Sequence, residues 1–464
     1  MPAKKRRFVR LRQKEMESGF YKRVLGIAVP IAIHNLMISA INMADVFMVG
    51  QLGEEAIAAL GISNQLMFLL ILFLFGMGSG GQIFVSQFYG KGDLLNLRRV
   101  MGVILGLGIC VSFAAFVGAR FFPEAIVGLF SHDAPVVKYA CEYLRIVSWS
   151  YIFTAVSFIY QVVLRSTDSP RLPVYSCAMA LVINVFFNWI LIFGHLGFPA
   201  MGIEGAALAT LIARIAETIF TLAYAYIRNL AAAAKFSELI SAKKDLLKQL
   251  FVTAMPVFFN EMTWALGILA LNWIYAKLGT ESIAAINISE SVTKLFFAAF
   301  IGIGNAGAVV LGHDIGACVE SEKVWKTSVR LVKLAISTGL FLSLLVFLFT
   351  DPILSVYNIS ESVYDLAYKS TLVWIFFLPV VAFNNLNIVG ILRSGGDTKA
   401  AFLIDVGALW VIAVPLSFAG VAAFGLPLYW VLVLSKTEEA IKFIWGFKRY
   451  VSKKWIRNLV RELN

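Results

Sequence analysis

Residues 30–63 read PIAIHNLMISAINMADVFMVGQLGEEAIAALGIS, and residues 256–289 read PVFFNEMTWALGILALNWIYAKLGTESIAAINIS. The two stretches align without a gap at an offset of 226, and the match extends over residues 24–90 and 250–316. Pro30 stands opposite Pro256, Leu52-Gly53 opposite Leu278-Gly279, Ile57-Ala58-Ala59 opposite Ile283-Ala284-Ala285, and Ser63 opposite Ser289. Gly76, Gly78 and Gly90 return as Gly302, Gly304 and Gly316. Further on the register slips slightly. Val127-Gly128-Leu129-Phe130 meets Leu354-Ser355-Val356-Tyr357, and Leu164-Arg165-Ser166 meets Leu392-Arg393-Ser394, each of the latter followed by an acid, Asp168 and Asp397. A repeated membrane half with ionisable residues in its spans is the sequence mark of a secondary transporter.

The 464 residues are 59% hydrophobic and only 15% charged, against about a quarter charged in soluble domains. The charges separate apolar stretches long enough to cross a hydrocarbon core of about 30 Å. Twelve such spans are read: 22–49, 55–88, 97–119, 136–162, 171–193, 202–227, 248–276, 282–312, 328–349, 365–391, 398–422 and 426–447. Backbone in lipid must satisfy its own hydrogen bonds, so the spans are helices. The fold class is an all-α membrane protein, two pseudo-symmetric lobes of six helices each. Six is even, so both halves share one orientation and their pseudo-two-fold axis runs along the membrane normal. The chain partitions into a basic head (1–22), an N-lobe (23–228), a linker (229–247), a C-lobe (248–447) and a basic tail (448–464).

The net charge of +12 is explained by retention of Lys and Arg on the cytoplasmic side. With the N-terminus inside, 33 of the 40 fall in the head, the inner loops and the tail region, Arg393, Lys436 and Lys442 among them. The outer side has few, such as Lys138, Lys277 and Lys369. Both termini are therefore expected in the cytoplasm of a multi-pass inner (cell) membrane protein. The same rule removes the need for a nucleic-acid partner. The first span continues as a helix with no small-residue cleavage site, so it is no signal peptide. The tail reads as a helix-prone segment lying on the membrane surface. Cys110, Cys141, Cys177 and Cys318 sit in or beside apolar spans and form neither a metal spacing nor a disulfide framework. There is no phosphate loop, no H-E-x-x-H and no G-x-S-x-G, so no enzyme activity and no cofactor are expected. Gly78–Gly81 and the Gly102, Gly106 pair read as close helix packing.

The candidate site starts on span 1. His34, Asn35, Asn42 and Asp45 fall within about 100° of the helix circumference. A polar stripe facing lipid is costly, so this one faces the interior. Pro30, one turn below, frees a backbone carbonyl and permits a bend. At about 1.5 Å per residue, Asp45 on span 1, Asn184 and Asn188 on span 5 and Thr210 on span 6 reach similar depth. A carboxylate ringed by amide and hydroxyl oxygens can take a proton or Na⁺. In the other half Asn260 and Glu261 occupy the positions of His34 and Asn35, Glu290 that of Asn64, and Asp405 lies two turns into span 11. Lys294 and Arg214 are partners for these acids. Arg214 is also one turn from Glu217, which makes a local bridge.

In order and spacing these residues resemble the MATE (multidrug and toxic compound extrusion) transporters over essentially the whole chain. The resemblance is carried by Pro30 with Asp45, Leu52-Gly53 with Ala58-Ala59, Asn184 with Asn188, Gly202-Ile-Glu-Gly-Ala-Ala-Leu-Ala-Thr210, Leu164-Arg165-Ser166 with Asp168, and Leu392-Arg-Ser-Gly-Gly-Asp397. It implies a V-shaped, two-lobed exporter driven by H⁺ or Na⁺. It also implies a coupling site at Asp45, Asn184, Asn188, Ala206 and Thr210, the same side chains serving for Na⁺. One departure is that some archaeal members carry an Asp where this chain has Asn188. A second branch uses an acid on helix 7 with an Asp and a Tyr on helix 10. Glu261 matches the first, helix 10 has no matching Asp, and Asp405 stands in.

The expected function is secondary antiport. Amphipathic drugs or metabolites leave in exchange for H⁺ or Na⁺ by alternating access of the lobes, with bending at Pro30. Intramembrane charges that are mainly acidic favour a cationic load. Asn35, Asn42, Asn260, Glu261, Glu290 and Asp405 form the substrate or C-lobe polar site. The partners are a small amphipathic substrate and the lipid bilayer, and the internal repeat permits a functional monomer. The alternative is a flippase for a lipid-linked or amphipathic metabolite. A major-facilitator transporter is disfavoured because Tyr89-Gly-Lys-Gly-Asp93 stands where its basic loop motif belongs. Paired prolines and buried acids argue against a scaffold but not against a channel.

Overall fold

The structure, a computed structural model, describes residues 19–167, 169–461 and 463. Of the head assigned to 1–22 only the last four residues fall within it, and Asp168 and the side chain of Lys294 lie outside the described residues. Among the described residues every regular element is helical. In chain order the long rods are α1 (Phe20–Gly50), α2 (Glu54–Lys91), α3 (Leu94–Phe121) and α4 (Ala134–Val147 with Ser150–Arg165). Then come α5 (Leu172–Phe193), α6 (Gly202–Ile227), α7 (Lys244–Ala276), α8 (Thr280–Gly316), α9 (Ser321–Leu354), α10 (Glu361–Leu392), α11 (Thr398–Ala422) and α12 (Leu428–Val451). Ten of these are long and apolar enough to cross a membrane, and the α4 pair makes an eleventh.

Two rods depart from the simple apolar span. The halves of α4 are bent by 55°. At the bend Ser148 Oγ donates back to the Arg145 carbonyl at 3.4 Å, a side-chain bond that competes with the helix ladder. In α12, Lys436, Glu438, Glu439 and Lys442 interrupt the apolar run, yet Lys436, Glu438 and Lys442 are buried. The connections repeat as the sequence does. Gly53 (φ 116°) and Gly279 (φ 96°) hold the matching turns α1–α2 and α7–α8 in a region where a side chain is strained.

The chain forms two compact units. The first comprises Ile33–Val85 and Leu94–Lys248, and the second takes residues up to Ala32, Ser86–Asp93 and Gln249 onward. The compact units therefore depart from the sequence halves at two places: the first turns of α1 and the last turns of α2 are packed in the second unit. Within α1 the changeover falls between Ala32 and Ile33, two residues after Pro30.

The first unit is built around an apolar cluster that includes Val49, Leu60, Leu74, Tyr143, Tyr151 and Ala206. Its linker is ordered. Arg98 donates to both carboxylate oxygens of Glu238 at 3.2 and 3.0 Å and to the Ala231 carbonyl at 3.2 Å. Gly102 faces the backbone of Leu239, where a methyl group would overlap the carbonyl oxygen, whereas Gly106 has open space around it. Of this pair, close helix packing thus holds for Gly102 alone, against the short helix Phe236–Leu239. This glycine admits the linker.

In the second unit the end of α2 meets the end of α8 through a reciprocal contact. A methyl at Gly90 would overlap the His313 carbonyl, and one at Gly316 would overlap the Gln87 carbonyl. At the repeat offset of 226, Gly90 pairs with Gly316 and Gln87 with His313. Ser86 and Gly312, also repeat partners, touch each other. Arg23 adds an ion pair to Asp314 at 3.2 Å.

The tail is not the membrane-surface helix expected from its composition. Helix α12 ends at Val451 and the chain continues as turns, with Trp455 and Val460 fully buried. Gln87 Nε2 donates to the Ser394 carbonyl (2.8 Å) and the Arg457 carbonyl (3.2 Å), while Gln87 Oε1 accepts from Leu459 N (2.9 Å). Lys91 Nζ reaches the Val460 carbonyl at 2.6 Å. Asp397 binds Arg449 at 2.5 Å and lies 3.8 Å from Arg457. Backbone hydrogen bonding to a buried glutamine and burial of an indole overrode the basic, helix-prone composition.

Candidate coupling site and buried ion network

The N-lobe site forms within the first unit because α1, α5 and α6 bring their polar residues to one depth. Asn184 and Asn188 are one turn apart on α5 and both are fully buried. Asn188 Nδ2 donates to Asp45 Oδ1 at 2.6 Å and to Asn184 Oδ1 at 3.2 Å. Asn184 Nδ2 donates in turn to Thr210 Oγ1 at 3.5 Å. Asp45, Asn184 and Thr210 line a cavity of about 40 Å³, with Asn42, Asn64, Tyr143 and Arg214 also on its wall. A water needs at least about 10–15 Å³, so this space takes about three waters or one ion. Drug-sized pockets run to about 300–1,000 Å³, and the site is therefore of ionic dimensions.

Not every residue of the sequence reading reaches the cavity. Asn35 does not line it, and Ala206 packs in the apolar core. Behind the cavity runs a second polar chain. Arg214 Nη1 binds Glu217 Oε2 at 2.8 Å, and Glu217 Oε1 accepts from Gln161 Nε2 at 2.9 Å. The bridge from Arg214 to Glu217 follows from their spacing of three on α6. Gln161 on α4 gave no comparable signal.

The second unit holds a denser network. Arg393 Nη1 pairs with Glu261 at 2.8 Å; Arg393 is buried and Glu261 partly so. Asn260 Nδ2 donates to Asp405 Oδ2 at 2.8 Å, and Lys442 Nζ lies 2.8 Å from Asp405 Oδ1. The same ammonium lies 3.2 Å from Glu438 and 3.9 Å from Glu439. Asn384 Nδ2 donates to Glu439 Oε2 at 2.7 Å. Lys436 Nζ sits 3.6 Å above the Trp374 ring, a desolvated cation–π contact. Glu290, half-buried on α8, is within electrostatic reach of Lys436.

These contacts correct the charge map read from sequence. Arg393, Lys436 and Lys442 are buried among helices rather than spread over loops and tail. The acids of the second unit are consequently matched by cations, because a carboxylate taken out of water needs a partner. The inference of a mainly acidic interior does not hold there. The missed signal is the run Lys436-Thr-Glu-Glu-Ala-Ile-Lys442. Charges at such depth in a span are functional or paired by default.

A family model described as MatE matches residues 30–190 and 256–419, one segment in each half, beginning at Pro30 and Pro256. The chain belongs to the MATE family. The "Probable multidrug resistance protein YoeA" of Bacillus subtilis is 26% identical, covering 95% of this chain and 96% of its own. The "Probable multidrug resistance protein NorM" of Thermotoga maritima is 23% identical, covering 96% of each. A solved MATE structure in the bent conformation superposes with a TM-score of 0.84 at 18% identity, covering 95% of this chain and 98% of that one. The twelve-helix fold is thus the MATE fold, and the Pro30 and Pro256 repeat is its internal duplication.

Proposed function

We propose that this MATE-family chain is a cell-membrane antiporter that exports amphipathic, preferentially cationic, drugs or metabolites in exchange for H⁺ or Na⁺. The observation that carries the reading is the ion-sized cavity whose wall holds Asp45 against Asn184 and Thr210. Asp45 takes the coupling ion. Asn188 orients the carboxylate, and Asn184 and Thr210 complete the polar wall. Ala206 contributes packing beside it. Glu261, Asn260, Glu290 and Asp405, with their cations, form the polar interior of the C-lobe and respond to substrate or to a second coupling event. Pro30, two residues before the changeover in α1, serves as the hinge for alternating access. The names of the relatives, multidrug resistance proteins, support the substrate class. Both termini face the cytoplasm, and a monomer suffices.

The test uses purified protein in liposomes with a cationic dye. A proton gradient and a Na⁺ gradient are imposed separately on wild type and Asp45→Asn. Dye movement driven by either gradient and lost in Asp45→Asn supports antiport through this site. Movement that survives the substitution refutes the assignment of Asp45. The buried cations Arg393 and Lys442 favour, as a second reading, a flippase for an anionic amphiphile. Failure of both gradients to move dye, with uptake of a lipid-linked anion, selects it.

A further inference from the structure

We infer that Arg214 is the ion-selectivity residue of the Asp45 site, excluding metal cations and leaving the proton as the ion that Asp45 carries. This rests on the reading that Asp45 binds the coupling ion. Thr210 and Arg214 are four residues apart on α6 and line the same cavity as Asp45. Arg214 stands within electrostatic reach of Asp45. Its guanidinium is fixed by Glu217 at 2.8 Å, and Glu217 is held by Gln161 at 2.9 Å. The cation is therefore a built part of the wall.

The hydrogen-bond polarity of the wall points the same way. A sodium ion needs a shell of oxygen acceptors. Here Asp45 Oδ1 receives an amide N–H of Asn188 at 2.6 Å, and the Asn184 oxygen is occupied by the same amide. The Asn188 N–H donates to the carboxylate from α5, and the Arg214 guanidinium lines the same cavity from α6. Donors stabilise a carboxylate and compete with a metal for its lone pairs. A proton needs no shell. It adds to Asp45, cancels the charge, and leaves the Arg214–Glu217 pair closed and neutral. Release of the proton returns a carboxylate in a cavity whose wall also carries the cationic end of the Arg214–Glu217 pair.

The titratable neighbours are few. Tyr143 and Tyr151 face the cavity from α4, and Arg214 faces it from α6 with Glu217 behind. Arg165 on α4 lies near His34. His34, on α1 with Asp45, is buried. Arg214 is the only one of these that lines the cavity with a permanent positive charge.

The experiment measures Asp45-dependent Na⁺ binding to the full-length protein, by ²²Na⁺ retention and by NaCl-induced thermal shift against choline chloride. Wild type should bind no Na⁺, and Arg214→Lys, which keeps the charge, should behave alike. Arg214→Gln with Glu217→Gln removes the ion pair without leaving a buried charge. It should gain Na⁺ affinity by about tenfold or more, and the gain should vanish with Asp45→Asn. In liposomes, wild type should respond to the proton gradient alone, and the double variant to Na⁺ as well. Na⁺ binding by wild type that Asp45→Asn abolishes overturns the inference while upholding Asp45 as the coupling residue. A folded double variant that gains no Na⁺ affinity also overturns it. If the double variant does not fold, wild-type Na⁺ binding decides alone. Loss of response to both gradients in wild type sinks the antiport reading itself, a separate outcome.

Discussion

Replacing Lys442 with Met tests whether the charges of α12 are structural. The side chains match in length, so packing is nearly conserved and the ammonium is removed. Lys442 is buried and lies 2.8 Å from Asp405, 3.2 Å from Glu438 and 3.9 Å from Glu439. Without it three carboxylates face one another in a site where Glu438 is also buried. Breaking a buried pair costs about 3–5 kcal/mol, because the surviving charge keeps its desolvation penalty. At about 2–4 °C per kcal/mol for a unit of this size, the melting temperature should fall by roughly 6–20 °C. The assay is thermal unfolding in detergent, followed by loss of the monodisperse peak in size-exclusion chromatography. Adding Asp405→Asn should recover part of the loss, since it removes one of the orphaned charges. A Lys442→Met protein that melts within experimental error of wild type would refute the reasoning. So would a double variant that is worse than the sum of its parts.

Other perturbations test separate parts of the fold. Gly316→Ala drives a methyl group into the Gln87 carbonyl; overpacking of this kind costs about 1–3 kcal/mol, and Gly90→Ala should be as damaging, both seen as lowered melting temperatures. Trp455→Ala empties a fully buried site under the tail and should cost about 3–5 kcal/mol, with earlier cleavage of the tail by carboxypeptidase. Arg98→Ala removes the two bonds to Glu238, a local loss of about 1.5–3 kcal/mol. Trypsin should then cut at Lys235 faster while the melting temperature moves little.

The duplication was legible because it leaves a mark at every level: prolines at one offset, turn glycines at one offset, and spans of matching length. Helix number followed from hydropathy, and the depth of Asp45, Asn184, Asn188 and Thr210 from a fixed rise per residue. What resisted was anything set by pairing across sequence distance. Arg393 and Lys442 look like loop and tail charges until Glu261 and Asp405 are brought beside them, since hydropathy averages over the charge it should have flagged. Gln161 and Gln87 carry no charge and no motif, yet each organises a network by hydrogen bonds to residues 56 and more than 300 positions away. The tail was misread for a related reason. A basic, aromatic composition is the same whether Trp455 meets lipid or protein.

The contact between α2 and α8 has the form of a two-fold dimer interface, in which residue i meets j and j meets i. Gly90 faces His313 and Gly316 faces Gln87, with Ser86 and Gly312 on the axis. One self-complementary patch, written twice in a single chain, serves as both of its own sides. A half-length chain with one copy of that patch would already hold the surface needed to pair with a second copy of itself. Joining both copies in one chain removes the dependence on concentration and lets the two copies differ, as Ser86 and Gly312 do.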